Sequence, residues 1–498
     1  MTTLKTILLL FSCLYLGTTF AQPHYIWNEK VQNVYESISS LKIPEARKLN
    51  AIEKKNDPEN LLLLLLDSYV DLYQLFFNEN TAEYNNIYPN FNKRIEKLKA
   101  GPKNSPYYLY SLATVHLNKA IVAIRFDRNW DAALDFRKAY LLYKENKEAF
   151  PKFTPNDVYF GLMTTIIGAV PNNYQWMLNL LGMKGSISKG NTLVLNYINS
   201  KNEFSTIARN EALLVYPYLV MNFEGNLKKS IDFIEQANYD FERNHLHAYM
   251  ATNIYLSNQL SKKSLDIANN IEINEAYLKM PFWHYEKGFA YLNQLNLEKS
   301  HQELTKFTTE FKGGFYIKDA FEKLSWIAYL QNDLKLAENY RNKVTHLGST
   351  VTDADKLAYE NAKSGKWPNP LLLKARLLSD GGLQNQSLGL LQGKSIRDFL
   401  TIDEKAEFVY RLARIHDLLG SKEQAIKYYK TAVEIGKNIN GYFASRSAFQ
   451  LGLIYEERKE YDNAIIHYNT CLNMKNTAFK NSLDQKAKSG LLRCEKLN

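Results

Sequence analysis

The chain has 498 residues, with 62 Lys and Arg against 52 Asp and Glu and a formal charge of +10. That excess is small and the two signs are interspersed along helical stretches, the pattern of solvated surface rather than of a nucleic-acid-binding face, so no nucleic-acid partner is expected. Beyond the first residues, nothing supplies the ~20 uninterrupted apolar residues of a membrane-spanning helix.

Residues 1–21 read as a secretory signal: Lys5 supplies the positive n-region, Ile7 to Leu16 the apolar stretch and Thr19-Phe20-Ala21 the cleavage site, so the mature chain starts at Gln22. Export to the periplasm or cell envelope is the expected location. The competing reading is a lipoprotein box at Leu10-Phe11-Ser12-Cys13, with outer-membrane association if Cys13 is lipidated. The bulky Phe11 and the apolar Leu14-Tyr15-Leu16 behind the cysteine favour cleavage instead.

Further along, Leu61 to Leu66 begins an apolar run that Asp67 and Asp71 interrupt, which predicts a buried core helix. Gly101-Pro102-Lys103-Asn104-Ser105-Pro106 and Pro151-Lys152-Phe153-Thr154-Pro155 read as connectors between helix pairs. The uncharged stretch Val158 to Met183 is split by Pro171-Asn172-Asn173 into pieces too short to span a membrane. Lys366-Trp367-Pro368-Asn369-Pro370 is expected to separate an irregular block, 22–365, from a regular block, 366–498. Around it lie Lys363, Lys366, Lys374, Arg376, Lys394 and Arg397 against Asp380 alone, read first as a solvated face, with an acidic partner as the alternative.

The regular block carries an internal repeat. Val409-x-x-Leu412-Ala413-x-x-His416 is followed by Ala425, Tyr429 and Ala432; Ala448-x-x-Leu451-Gly452-x-x-Tyr455 is followed by Ala464, Tyr468 and Cys471. Antiparallel helices approach closely where one presents Gly or Ala and the other a small residue with an aromatic one turn on, so Gly452 is expected against Ala464 and Tyr468. Gly420-Ser421-Lys422 is expected to turn one helix into the next. Looser copies include Gly288, Tyr291, Ser300 and Leu304; Tyr255, Ser264 and Ala268; Leu324, Ala328 and Ala337; Ala375, Leu378, Ser387 and Leu391; and Ala120, Ala132, Phe136 and Ala139. Without alternating strand patterns, they predict an all-α solenoid of about a dozen helix hairpins, roughly 35 to 40 residues each, closed by a polar capping helix near Lys480 to Lys496.

On these motifs the C-terminal third resembles bacterial exported tetratricopeptide repeat (TPR) proteins, which implies a right-handed superhelix that binds proteins. Tyr159-Phe160-Gly161, Val170-Pro171, Leu180-Leu181-Gly182-Met183-Lys184-Gly185 and Gly190 are similar to the signature stretch of the tetratricopeptide repeat protein 39 and inclusion-body-clearance family. That resemblance implies a helical scaffold without an active site.

In a TPR solenoid the first helix of each pair lines the concave groove. Counting from the repeat register gives Glu407, Tyr410, Arg414 and Asp417 in one unit, Arg446, Phe449, Leu453 and Glu456 in the next, and Phe282, Tyr285, Phe289 and Leu292 in the central one. This mixture suits an extended peptide or a partner helix, and it lacks the Lys and Asn clamp for a terminal carboxylate. No metal or cofactor motif occurs: His245 and His247 point roughly 200° apart on a helix, and His416 occupies a packing position. Cys471 and Cys494 are expected to sit roughly 16 Å apart along two antiparallel helices and to stay free. The expected function is a non-catalytic scaffold for a protein or peptide partner. The alternatives are a helical carbohydrate-uptake lipoprotein, or an all-α toroid acting on polysaccharide, which needs paired carboxylates in a cleft lined by Trp27, Trp130, Trp176, Trp283, Trp326 or Trp367.

Overall fold

The computed structural model describes residues 22–437, 442–474 and 480–497, with backbone alone for 172–175, 481, 482, 496 and 497. The expected signal segment with Cys13, and the turn expected near Thr477, lie outside these residues. Among them the structure is helical throughout, with one isolated bridge between His24 and Asn60 as its extended pairing.

The helices form two compact units, residues 22–247 with 272–280 and residues 248–271 with 281–497. The first contains α1 (Glu29–Ser39), α2 (Ile43–Asn56), α3 (Leu62–Asn78), α4 (Thr81–Ile87), α5 (Pro89–Leu98), α6 (Pro106–Arg125), α7 (Asn129–Ala149), α8 (Asn156–Gly168), α9 (Asn172–Leu180), α10 (Ile187–Asn199), α11 (Arg209–Leu219) and α12 (Leu227–Gln236). After α13 (His245–Ser257) come α14 (Ser261–Asn270), α15 (Phe282–Leu292), α16 (Leu297–Glu310), α17 (Ile317–Leu330), α18 (Leu334–His346) and α19 (Asp353–Ser364). The chain ends with α20 (Pro370–Asp380), α21 (Gln384–Leu391), α22 (Ile402–Leu418), α23 (Lys422–Gly436), α24 (Tyr442–Glu457), α25 (Tyr461–Asn473) and α26 (Lys480–Leu497). The Lys366 to Pro370 segment thus joins α19 to α20 inside the second unit.

Seven helix pairs close through one backbone turn. A single residue takes the left-handed conformation (Asp127, Gln259, Leu295, Asn332, Gly382, Gly420 or Lys459). The N–H of the next residue then reaches back five positions to a helical carbonyl, as in Ser421 to His416 at 2.8 Å and Glu460 to Tyr455 at 2.9 Å. This bond satisfies a carbonyl that the helix end would leave open. The expected turn at Gly420 is therefore one of a series, six of which recur in the second unit.

Close crossings follow from small residues. A methyl at Gly452 would lie 2.5 Å from Cε1 of Tyr468, and one at Gly490 would lie 2.4 Å from Cζ of the same ring. In two looser copies the small residue is a serine that donates to the carbonyl it faces: Ser300 Oγ to Gly288 at 2.7 Å and Ser387 Oγ to Ala375 at 2.6 Å. The serine satisfies its hydroxyl without needing space.

In the first unit, Leu62, Leu63, Leu65 and Leu66 are buried in α3, and Asp71 on the same helix accepts from Arg47 and Arg94. The glycine-rich stretch packs two helices together: α8 and α10 meet where a methyl on Gly190 would stand 2.4 Å from the Gly161 carbonyl oxygen. Around the buried Glu211, which accepts from Tyr35, gather Tyr69, Tyr110, Tyr143, Tyr159 and Tyr197.

Candidate functional site

Helix pairs held this closely leave one face of their first helices facing inward. In the second unit this face borders a cavity of about 410 Å³, lined by Glu322, Ser325 and Trp326 of α17, Arg376 of α20, Asp403, Glu407 and Arg411 of α22 and Phe443 of α24. Arg341, Asn361 and Trp367 complete much of its wall. A second cavity of about 250 Å³ shares Trp326 and Arg376 and extends the lining to Phe289, Asp319 and Lys323.

The lining is dense in charge, and much of it is paired. Lys323 is buried and bound by Asp319 at 2.9 Å and Glu322 at 2.7 Å. Burial presses its ammonium downward and the two carboxylates more than reverse this, leaving its pKa above the usual value. Glu322 also accepts from Asn361 at 2.7 Å. Glu407 accepts from Arg411 at 2.7 and 3.1 Å along one helix turn. Trp367 is stacked by Tyr329 at 4.6 Å and carries the Arg341 guanidinium at 3.4 Å from its centre. Trp326 carries Lys323 at 4.1 Å and Arg376 at 5.4 Å. The paired carboxylates in a Trp-lined cleft that a polysaccharide site needs are thus present in outline. Glu322 and Glu407, however, are tied to cations, and Trp367 already stacks with Tyr329 and Arg341.

Of the residues expected in the groove, Glu407 and Phe289 line these cavities. Phe282, Tyr410 and Phe449 do not keep their expected exposure, having 2%, 5% and 6% of their surface accessible. Phe282 packs against Phe311 at 4.9 Å, Tyr410 against Phe443 at 5.4 Å and Phe449 against Tyr468 at 5.9 Å. Leu292 is buried too.

The remaining expected residues serve the helix pairs. Tyr285 donates to Asp319 at 2.8 Å. Asp417 accepts from the Tyr429 hydroxyl at 3.1 Å and pairs with Arg414 and Lys422. Glu456 accepts from Tyr468 at 2.5 Å and is gripped by Arg493 at 2.6 Å. Arg446 lies over Phe449 at 5.8 Å and has no carboxylate within ion-pair distance among the described residues.

The face that reaches the cavity on α22 is the i, i+4 stripe Asp403, Glu407 and Arg411, roughly 40° around the helix from the expected one. Lys323, Trp326, Arg376, Arg411 and Phe443 were the members that register counting missed. One signal pointed to two of them: Arg376 and Arg411, together with Arg446, recur at intervals of 35 residues (411 − 376 and 446 − 411).

His416 stacks on Tyr428 at 5.5 Å, in keeping with a packing role. His245 and His247 donate to separate backbone carbonyls, those of Glu272 and Asn210. Cys471 and Cys494 are free and buried. Among the described residues, no group of His, Cys, Asp and Glu is placed to hold a metal ion, and no helix is long and apolar enough to cross a membrane.

The tetratricopeptide repeat family model matches residues 406–438 and 445–477, so the pairs built on α22 with α23 and α24 with α25 are TPR units. No curated protein matches the chain. Among solved structures it is similar to the P58(IPK) TPR domain, at 13% identity and a TM-score of 0.22, covering 87% of this chain and 98% of that one. It is also similar to the APC/C hetero-tetramer Cut9-Hcn1, at 11% identity and a TM-score of 0.26, covering 91% and 95%. A third similarity is to Naa15/Naa10 bound to HypK-THB, at 12% identity and a TM-score of 0.25, covering 94% and 65%.

Proposed function

We propose that this protein is a non-catalytic TPR scaffold that holds an extended segment of a protein partner along the inner face of its second unit, and that it does so in the bacterial cell envelope after export. The observation that carries the first part is the pair of adjoining cavities, lined from α15 to α24 by side chains of successive first helices. A surface spread over so many helices matches a linear ligand better than a compact one. Two of the carboxylates bordering the larger cavity, Glu322 and Glu407, are held by cations, which supports binding over acid–base chemistry.

Site-specific photo-crosslinking tests this. A crosslinking amino acid at Asp403, exposed beside the cavity, should give discrete protein adducts in envelope fractions, and the same group at the exposed Lys427 on α23 should not. Equal labelling from both positions would remove the groove assignment. The location rests on the signal-like residues 1–21 and is checked by mass spectrometry of the mature N-terminus. A chain starting at Gln22 supports soluble export, and an acylated Cys13 supports the lipoprotein alternative.

A further inference from the structure

Three arginines stand one to a helix on α20, α22 and α24, at the 35-residue interval noted above. All three act on one hydroxyl: burial and the neighbouring Tyr410 push the Tyr442 pKa up, while the guanidiniums of Arg446, Arg376 and Arg411 pull it down. We propose that Arg376, Arg411 and Arg446 form a ladder that receives the carboxylates of an extended acidic segment of the partner protein. This rests on the scaffold reading above and gives that partner its chemistry.

Donor capacity supports the ladder. Arg376 meets Asp380 only at 3.4 Å, and Arg411 directs Nε and Nη2 to one oxygen of Glu407, leaving Nη1 uncommitted. Arg446 has no carboxylate partner among the described residues, and its Nε is buried without a hydrogen bond. A buried donor in that state is costly unless something fills it. Each guanidinium also lies near an aromatic ring: Arg376 at 5.4 Å from Trp326, Arg411 at 5.5 Å from Phe443 and Arg446 at 5.8 Å from Phe449. The rings hold the planar forks in place, so little side-chain freedom remains to be lost on binding.

Spacing favours a peptide over a single anion. Packed helices lie roughly 8–10 Å apart, and three residues of polyproline II chain rise roughly 9 Å and bring the side chain back to the same face. Acidic side chains three positions apart therefore meet successive arginines, whereas one phosphate reaches only one or two.

The test uses the full chain and a fluorescein-labelled peptide of four Glu-Gly-Ser triplets, with Gln-Gly-Ser triplets as control, read by anisotropy. The chain's charge of +10 makes some weak attraction general, so the variants decide the matter. Arg376→Gln and Arg411→Gln should each weaken the Glu peptide about tenfold, Lys427→Gln should change nothing, and the Gln peptide should not bind. Should either glutamine variant melt early, Arg376→Lys keeps the charge and should retain most of the affinity. Affinities within twofold for both arginine variants, or equal binding of the two peptides, would overturn the ladder. So would full displacement by millimolar inorganic phosphate, which would assign the site to phosphate. Crosslinks at Asp403 that persist while the Glu peptide fails would leave the groove a docking surface and remove only its acidic partner.

Discussion

Gly452→Ala is the sharpest probe of the packing. The added methyl would stand 2.5 Å from Cε1 and 2.6 Å from Cδ1 of Tyr468, where carbon contacts normally settle at roughly 3.5–4.0 Å. The ring has little room to yield. Its Cζ and Cε2 side is pressed by Gly490, and its hydroxyl is held by Glu456, itself gripped by Arg493. Helices α24 and α25 must therefore separate by about 1 Å, an overpacking change worth ~1–3 kcal/mol, against which alanine's helix preference over glycine returns ~1 kcal/mol. The expected net is about 1 kcal/mol of destabilisation. Gly389→Ala is the control: it is an exposed position in α21 with nothing within 4 Å, so the same substitution should stabilise by up to ~1 kcal/mol. A global melt would blend two units, so the assay is amide hydrogen exchange read by mass spectrometry. Amides of α24 and α25 should exchange roughly fivefold faster in Gly452→Ala, and those of α21 more slowly in Gly389→Ala. Unchanged exchange in α24 and α25 would refute the close crossing.

Other perturbations separate structural from binding roles. Burial raises the Glu211 carboxyl to about 7, with the Tyr35 hydrogen bond acting against it. The folded state therefore keeps a proton that the unfolded chain loses near 4.5, and stability should fall by roughly 1.4 kcal/mol per unit as pH rises from about 4.5 to 7. Exchange of α11 measured against pH should show that slope in the native protein and lose it in Glu211→Gln. Asp71→Ala should cost ~3 kcal/mol by leaving the part-buried Arg94 without its nearest partner, seen as a lower urea midpoint for the first unit. Tyr410→Ala should cost ~3 kcal/mol or more in the second unit, because its ring is packed against Phe443 and Tyr429; partner loss without destabilisation would restore the exposed reading of that residue.

The sequence by itself determined the helix hairpins, because their signals act over a few residues. Pro106 opens α6 behind its Ser105 cap, Thr401 and Glu404 form a capping box at the start of α22, and Gly420 ends that helix in the left-handed conformation. The Gly452 and Tyr468 crossing was legible as well, since a glycine twelve residues before an alanine marks where two helices touch. What only the tertiary structure decided was the rotation of each first helix against the next pair. Tyr410 and Phe449 share the aromatic, register-matched character of groove residues, yet Tyr410 is covered by the next pair and Phe449 by its own partner helix, while Asp403, Glu407 and Arg411 turn inward. The same holds in the first unit, where Glu211 becomes a buried acid only because α1 brings Tyr35 against it from 176 positions away. Local patterns fix which stripe of a helix is apolar. The angle at which successive pairs stack depends on side chains thirty-five or more residues apart, and that angle selects the part of each helix left open to a partner.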